Sequence, residues 1–178
     1  MALFPLLREK TQRYVQAGWW EPAHGKNTLP LFTIPKISTE LKLHTVIDAQ
    51  ERNTNTVINS TLLPNQNLIR ESVASHKFTS IIDISDVYEQ LHIILEDVPK
   101  TLFSSPLGTF VSHVLQQGDC NGPWSWQRLM TYGFRKRIGV KVWVYLDDIY
   151  VFTNTIEQHE KALEYVLKCL KEEWLYNT

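Results

Sequence analysis

The sequence has few of the residues that mark secreted, fibrous or membrane-spanning proteins. Its 178 residues include two cysteines, Cys120 and Cys169, too few for a disulfide framework or a cysteine-based zinc cluster, which favours a reducing compartment. Seven glycines and eight prolines are too few for a collagen-like or low-complexity chain. The apolar runs are only a few residues long, whereas a membrane-spanning helix needs about 20 residues, and no signal peptide is recognisable. We therefore expect a globular protein without a membrane partner.

The chain as a whole has no excess of positive or negative charge, but one segment of it is purely basic. Eighteen basic and nineteen acidic residues leave a net charge of −1, so no global positive field indicates a nucleic-acid-binding protein. Residues 120–146, however, contain no acidic residue, and two aspartates follow directly. The basic residues of this stretch are Arg128, Arg135, Lys136, Arg137 and Lys141. Such a block is typical of a solvated helix face, but beside a carboxylate pair it is also compatible with a phosphate-rich partner.

The spacing of apolar residues predicts an α+β fold. Helical periodicity predicts helices over residues 3–20, 67–75, 123–138 and 156–174. Runs of β-branched and aromatic residues predict strands over residues 29–35, 41–48, 78–84, 91–95, 101–104, 109–115, 141–146 and 149–152, with a polar connection over 51–65. Since strands cluster with helices between them and no regular βαβ alternation is visible, we expect an antiparallel sheet backed by helices.

The sharpest local feature is a pair of aspartates between two apolar strands. Asp147 and Asp148 separate the runs 142–146 and 149–152, and an Asp-Asp pair at such a place is usually only a turn. The flanking runs are apolar at nearly every position, which predicts a buried hairpin with two repelling carboxylates that a cation would stabilise. Asp83 ends another apolar run and is the predicted third carboxylate of a two-metal phosphoryl-transfer site.

The residues around this hairpin resemble those of a known family. Tyr145-Leu-Asp-Asp148 resembles the signature of reverse transcriptases, in the form common in gypsy-type LTR retrotransposons. Further blocks that resemble the family, in the family's order, are residues 34–36, 46–48, 78–90, 100–103, 108–110 and 117–130. The resemblance covers about residues 19–176 and implies the fingers and palm of a reverse transcriptase, with an antiparallel palm sheet backed by helices.

The same resemblance implies a domain organisation and a function. Residues 1–77 would be a fingers portion and residues 78–178 mostly palm, with a fingers segment near 91–118. Because the chain stops after the last predicted palm helix, we expect the thumb to be absent and ribonuclease H to be missing from it. The implied function is RNA-directed DNA polymerase activity of a truncated piece of a retrotransposon polyprotein. The implied partners are an RNA or DNA template with its primer, deoxynucleoside triphosphates and the rest of the polyprotein.

Three aspartates are the catalytic and metal-binding residues that the resemblance implies. Asp83, Asp147 and Asp148 would hold two Mg²⁺ ions, for which Mn²⁺ is a possible substitute. Asp86 lies only three residues after Asp83, but it follows Ser85 where the chain must turn. We expect Asp86 to cap a short helical turn rather than to bind metal.

Five further residues match nucleotide-binding positions of the family, each with a simpler structural interpretation. Tyr88 matches the steric gate that favours deoxynucleotides, although a tyrosine at this spacing is most often a core residue. Gln117 and Gly118 match the nucleotide-pocket turn, and an ordinary strand-to-helix turn is the alternative. Lys36 and Lys42 are candidate phosphate contacts, whereas exposed lysines are more often merely solvated.

The chain departs from the family pattern at two positions near the predicted fingers strands. His44 stands where the family usually has arginine, and Gln50 replaces an arginine that commonly follows Asp48 by two residues. Both changes remove fixed positive charge that would face a triphosphate. The alternative hypothesis is therefore a catalytically inactive relic or a co-opted nucleic-acid-binding module, against which the three intact carboxylates argue.

Overall fold

The computed structural model describes residues 3–37 and 41–173, and of residues 36, 37, 41, 42, 172 and 173 it describes the backbone only. The chain divides into two compact units. Unit 1 consists of Met1–Ile58 with Leu91–Gly122, and unit 2 of Asn59–Gln90 with Pro123–Thr178. Within the described ranges, no helix is both long and apolar enough to cross a membrane. The boundary between fingers and palm near residue 77 stays a prediction.

Helices and strands follow one another without a regular βαβ order. The helices are α1 (Leu3–Gln16), α2 (Gln50–Thr54), α3 (Gln66–Ala74), α4 (Gly122–Phe134) and α5 (Ile156–Glu173). The strands are β1 (Trp20–Pro22), β2 (Leu29–Ile37), β3 (Leu41–Ile47), β4 (Phe78–Asp83), β5 (Phe103–Ser105), β6 (Gly108–Ser112), β7 (Val142–Tyr145) and β8 (Asp148–Thr153). Two short 3₁₀ helices cover Tyr88–Gln90 and Val98–Thr101.

Unit 1 is a five-stranded sheet with an aromatic core against α1. The strand order is β1-β6-β5-β2-β3, and the pairing is antiparallel except between β2 and β5. The buried ring of Trp20 lies 4.8 Å, between ring centroids, from both Tyr14 of α1 and Phe103 of β5. Phe103 in turn stacks on Phe110 of β6 at 5.9 Å. These edge and stacked contacts join the helix to three strands of the sheet.

Helix α1 ends four residues earlier than the apolar periodicity predicts. Gly18 has a φ of +72°, and its N–H donates to the carbonyl of Val15 while the N–H of Trp19 donates to that of Tyr14. This pair of bonds around a left-handed glycine is a Schellman motif, which terminates a helix. The Trp19 ring also packs edge-on against Tyr14 at 5.0 Å, the apolar contact that accompanies this motif. The periodicity continues through Trp19 and Trp20 because both rings face the same core, although the backbone is no longer helical.

Residues 91–115 form fewer and shorter strands than their composition predicts. The first predicted strand is reduced to an isolated bridge between His92 and Val114. The second, over 101–104, overlaps the 3₁₀ helix Val98–Thr101, and only Phe103–Ser105 pairs as a strand. Pro99 explains the helical turn, because proline has a helix-compatible φ and no N–H to contribute to a sheet. The third predicted strand is confined to Gly108–Ser112.

Unit 2 is built around a three-stranded antiparallel sheet of order β4-β8-β7. Alternate residues of its central hairpin, Val142, Val144, Ile149 and Val151, are completely buried and form one face of the sheet. Helix α4 is attached to β7 through Gln127, whose amide nitrogen donates to the carbonyl of Val144, and α5 packs on β8 and β4. The predicted antiparallel sheet backed by helices is therefore confirmed.

A buried histidine attaches α5 to this sheet. His159 is 6% exposed, and its Nε2 lies 2.9 Å from Ser80 Oγ of β4. Its Nδ1 lies 3.1 Å from Thr153 Oγ1 at the end of β8. A neutral imidazole donates from one ring nitrogen and accepts at the other, and a hydroxyl can do either, so both contacts are satisfied together. His159 therefore joins two strands to one helix.

Replacing His159 by alanine should lower the free energy of unfolding by about 1–3 kcal/mol, because the hydroxyls of Ser80 and Thr153 lose a partner. Urea denaturation followed by circular dichroism measures the change. Glu160→Ala on the exposed side of the same helix is the matched control, and its effect should stay within about 0.5 kcal/mol. Equal losses for the two variants would contradict the structural role of His159.

Candidate active site

The hairpin that carries two of the predicted carboxylates closes with a two-residue turn. Leu146 and Asp147 form the turn, and Tyr145 pairs with Asp148 at the ends of β7 and β8. Leu146 has a φ of +52°, the sign that tight hairpin turns need at this position and the reason why glycine is common there. For leucine this conformation costs of the order of 1–3 kcal/mol, so the surroundings must hold it.

The register between β4 and β8 brings the third aspartate to the same place. Asp83 lies directly opposite Asp148, and the N–H of Ile84 donates to the carbonyl of Asp147 over 3.0 Å. Residues opposite one another on antiparallel strands have Cβ atoms about 4.5–5.5 Å apart. The structure therefore brings Asp83, Asp147 and Asp148 together at one end of the unit 2 sheet.

The donor chemistry of these three residues suits a hard divalent cation. Asp83 and Asp147 are exposed and Asp148 is half-buried, so carboxylate oxygens face solvent at the sheet end. Magnesium prefers such oxygen ligands and completes its shell with water and phosphate oxygens. In the part of the chain that the structure describes, no three side chains of His, Cys, Asp or Glu are arranged so that they could already hold a metal ion. The residues fit Mg²⁺ by donor type and lie at neighbouring strand ends, and their metal-binding role stays a prediction.

Tyr150 constrains one of the carboxylates. Its hydroxyl donates to Asp148 Oδ2 over 3.1 Å, two residues along the same face of β8. Burial raises the pKa of Tyr150 above its usual value, and the hydrogen bond to Asp148 and nearby negative charges raise it further. The phenol is therefore protonated throughout the neutral pH range and remains a donor to Asp148.

Tyr88 lies close to the hairpin turn. It is half-buried at the start of the 3₁₀ helix that follows β4. Burial raises the pKa of Tyr88 above its usual value, and the charges of Asp147 and then Glu89 raise it further. After burial, the charge of Asp147 is thus the largest influence on this phenol. The role of Tyr88 as a steric gate stays a prediction.

Asp86 does not occupy the position that the sequence predicts for it. It lies in a turn two residues before the 3₁₀ helix begins at Tyr88, and its φ is +52°. A helix-capping residue directly precedes the first helical residue and has an extended backbone, so the expected capping role is wrong. Aspartate and asparagine tolerate left-handed φ better than other residues except glycine, which is the physical reason for aspartate at this turn.

In unit 1, the predicted nucleotide-pocket turn requires a glycine. Gly118 has a φ of +116°, and a Cβ atom there would lie 2.4 Å from the carbonyl oxygen of Ile47. The carbonyl of the preceding Gln117 accepts from the N–H of Ile47 over 3.1 Å, so the turn lies directly on the end of β3. His44 Nδ1 lies 3.3 Å from Gln117 Oε1. The residue that departs from the family pattern thus contacts a predicted pocket residue.

Two residues of α2 hold this turn, and the sequence analysis missed both. Arg52 forms an ion pair with Asp119 and a hydrogen bond of 3.3 Å to Gln116 Oε1. Asn53 donates to the carbonyl of Gly118 over 2.8 Å and accepts from the N–H of Cys120 over 3.0 Å. Both lie in the stretch predicted to be only a polar connection. The signal that could have found them is an arginine–asparagine pair a few residues after a predicted strand, together with Asp119 beside the predicted turn, 67 residues after Arg52.

The remaining predicted residues of unit 1 are only partly described. Lys36 of β2 pairs with Lys42 of β3 in the strand register, but both side chains lie outside the described part, so their phosphate contacts stay predictions. The backbone N–H of Gln50 donates to Asp48 Oδ1 over 3.3 Å, which forms a tight turn between β3 and α2. Gln50 therefore begins a helix where the family usually has a charged arginine.

Comparisons with known protein sequences find relatives in one family. The family model for reverse transcriptase (RNA-dependent DNA polymerase) matches residues 34–176. The retrovirus-related Pol polyprotein from transposon opus of Drosophila melanogaster is 30% identical over 161 residues, which is 89% of this chain and 16% of that protein. The Pol polyprotein from transposon gypsy of the same fly is 25% identical over 174 residues, 96% of this chain and 17% of that protein. The chain thus spans about a sixth of these relatives, and the predicted resemblance to gypsy-type elements is confirmed.

Solved structures share the fold. A foamy viral protease–reverse transcriptase in complex with double-stranded DNA superimposes with a TM-score of 0.86 at 24% identity, over 97% of this chain and 30% of that chain. A foamy viral protease–reverse transcriptase in complex with an RNA/DNA hybrid gives a TM-score of 0.86 at 23% identity, over 98% of this chain and 23% of that chain. At these identities the likeness concerns the fold, and it confirms the predicted reverse-transcriptase fold class.

Gly118→Ala should destabilise unit 1 by about 1–3 kcal/mol, because the new Cβ meets a backbone oxygen of β3 and the residue must keep a positive φ. The free energy of unfolding from urea titration measures this loss. Gly18→Ala is the matched control, since Gly18 also has a positive φ but a Cβ there has nothing within 4 Å. A loss for Gly118→Ala no larger than that for Gly18→Ala would show that the turn can move away from β3.

Proposed function

The chain belongs to the reverse transcriptase (RNA-dependent DNA polymerase) family, and on that premise we propose that it contributes fingers and palm to an RNA-directed DNA polymerase. The polymerase adds deoxynucleotides to the 3′-hydroxyl of a primer paired with an RNA or DNA template. The observation that carries the proposal is the register of β4 and β8, which sets Asp83 opposite Asp148 and next to Asp147. The solved relatives bound to double-stranded DNA and to an RNA/DNA hybrid support a primer–template as the partner.

Asp83, Asp147 and Asp148 are the residues that would hold two Mg²⁺ ions in this proposal. Bound divalent cations would supply activation of the primer 3′-oxygen and charge stabilisation on the triphosphate. The chain itself contributes three oxygen-rich side chains on neighbouring strand ends of a rigid sheet. Because Asp83 and Asp147 are exposed, their carboxylates are accessible to substrate oxygens and water. The Tyr150 hydroxyl keeps one oxygen of Asp148 oriented along β8.

Two further elements would bind the deoxynucleotide. The ring of Tyr88, whose phenol stays neutral beside Asp147, would pack under the sugar and crowd a 2′-hydroxyl. The turn of Gln117 and Gly118, which the missing side chain of Gly118 allows to pack on the end of β3, would present backbone groups to the nucleotide. Lys36 and Lys42 are the proposed phosphate contacts. With His44 and Gln50 in place of two arginines, we expect weaker binding of the triphosphate than in a family member that has both.

Primer extension by the purified chain tests the proposal directly. The substrates are oligo(dT) annealed to poly(rA), with dTTP and either Mg²⁺ or Mn²⁺. We expect weak, ion-dependent incorporation at most, because fingers and palm supply only part of the phosphate contacts that hold a primer–template, and each such contact adds affinity. The decisive assay therefore uses the chain fused to the thumb of a family member. A folded fusion that binds the primer–template but incorporates nothing with either ion would contradict the polymerase and favour a nucleic-acid-binding module.

Asp83→Asn should reduce incorporation by a factor on the order of 10² to 10³, as removal of one charge-stabilising group from an active site does. Asp86→Asn is the matched control, because asparagine also tolerates the left-handed φ of that turn and the residue is not part of the proposed site. Single-turnover incorporation rates compare the two variants. If Asp86→Asn proved as inactive as Asp83→Asn while folded, the assignment of Asp83 would be wrong.

Tyr88→Ala should increase ribonucleotide incorporation relative to deoxynucleotide incorporation by roughly 10- to 200-fold, the range that steric discrimination by one group spans. The ring removed by this change is the group proposed to crowd the 2′-hydroxyl. Competing rUTP and dTTP on the same primer–template gives the ratio. Tyr88→Phe keeps the ring and should leave the ratio unchanged, whereas an equal change in both variants would exclude the steric mechanism.

A further inference from the structure

The turn that carries Asp147 is held by side chains from another element. Leu146 precedes Asp147 and has a left-handed φ of +52°, which leucine does not adopt readily. Gln127 Oε1 accepts from the N–H of Leu146 over 2.8 Å. Trp126 Nε1 donates to the carbonyl of Leu146 over 2.9 Å. Both backbone polar groups of the strained residue are therefore bonded by two consecutive side chains of α4.

These two side chains are themselves fixed. Trp126 and Gln127 are both 0% exposed. The Gln127 amide nitrogen also donates to the carbonyl of Val144 over 3.1 Å and to Thr131 Oγ1 over 3.2 Å, so both ends of the amide are engaged. Hydrogen bonds shielded from water are strong and directional, and a buried partner left unbonded is unfavourable. The side chains of α4 therefore fix the backbone conformation of the turn through hydrogen bonds.

The orientation of the turn determines where the Asp147 carboxylate points. Leu146 and Asp147 share one peptide plane, so rotation at Leu146 rotates the base of the Asp147 side chain. The other side of the turn is fixed by the bond from Ile84 N–H to the Asp147 carbonyl and by the pairing of Asp148 with Asp83. Asp147 thus has one neighbour held by β4 and another held by α4.

We propose that Trp126 and Gln127 are positioning residues: they hold Leu146 in its left-handed conformation and thereby aim the Asp147 carboxylate toward Asp83 and Asp148. The expected effect on nucleotide incorporation rests on the proposed polymerase function. The expected effect on the conformation of Leu146 depends only on the hairpin and its contacts with α4. Without these bonds the turn would relax toward a conformation that leucine prefers, and the three carboxylates would spend less time together. The effect would fall on cation binding and on the chemical step, not on primer–template binding.

The test uses Gln127→Met, which keeps the length and removes the hydrogen bonds, and Trp126→Phe, which keeps an aromatic ring and removes the indole N–H. The first readout is hydrogen exchange at the Leu146 amide. It should be protected in the unchanged chain and exchange about 10- to 100-fold faster in Gln127→Met, because its buried acceptor is lost. The second readout is Mn²⁺ binding, followed by water proton relaxation, which should weaken by about 10- to 100-fold in both variants, as for other supporting residues of metal sites.

Two control variants separate positioning from general destabilisation. Trp143→Phe removes an indole bond from the same hairpin, to Ser72 Oγ at 2.9 Å, but not from its turn. Gln158→Met makes the same substitution on the exposed side of α5. Both should leave the Leu146 exchange rate and Mn²⁺ binding unchanged, even if Trp143→Phe lowers the unfolding midpoint.

Steady-state kinetics provide the third readout. Gln127→Met should lower kcat for dTTP incorporation by about 10- to 100-fold while the KM for dTTP and the Kd for primer–template stay within a few-fold. Faster exchange at Leu146 with unchanged Mn²⁺ binding would overturn the inference. Weaker Mn²⁺ binding in a chain that incorporates no nucleotide would support the positioning role and count against the polymerase, so the two proposals fail separately.

Discussion

The pairing of β4 with β8 is the constraint on which the rest of the candidate site depends. Side chains alternate between the two faces of a strand, so a shift by one residue would move Asp83 to the opposite face and bury it among apolar groups. Such a shift would also turn Ser80 and Ile82 of β4 away from the face on which they pair with the completely buried Val151 and Ile149. The buried face of the sheet therefore determines the position of the carboxylates on the other face. His159 reinforces the same register, since it bonds Ser80 of β4 and Thr153 of β8.

Placing three carboxylates at one sheet end is unfavourable without a cation, and the surroundings show how the fold tolerates it. Asp83 and Asp147 are exposed, so water screens much of their repulsion. The strained turn at Leu146 is bonded on both its N–H and its carbonyl by buried side chains of α4. A rigid scaffold thus holds groups that would separate if they were free. Strain and like charge at one place are typical of functional sites, where the surrounding structure maintains an arrangement that is not the most stable one locally.

The turn at Gln117 and Gly118 of unit 1 is also held in place by residues of other elements. Gly118 is required by a backbone contact with Ile47, and Arg52 and Asn53 bond the residues on either side of it. Hydrogen bonds from buried or half-buried polar groups restrain a loop, although Gln116 Nε2 at this turn is buried without a partner among the described residues. Of the two residues that replace family arginines, His44 contacts Gln117 through its side chain, and Gln50 bonds Asp48 through its backbone N–H. The departures therefore change the charge of this region without leaving the turn unsupported.

Local patterns in the sequence determine much of this fold. The apolar runs around Asp147 and Asp148 predicted the hairpin, and helical periodicity predicted α3, α4 and α5 to within a few residues, because burial of one face imposes a regular spacing. The apolar run that ends at Asp83 predicted that this residue would join the hairpin, and the resemblance implied the same. Other features depend on contacts between residues distant in sequence, which no local pattern contains. Only the tertiary structure decided that Gln127 and Trp126 bond Leu146 and that Arg52 pairs with Asp119, because such contacts exist only when helices and strands have packed. It also decided that α1 ends before Trp19, since both rings reach the core although Trp19 follows the turn at Gly18 and Trp20 begins β1.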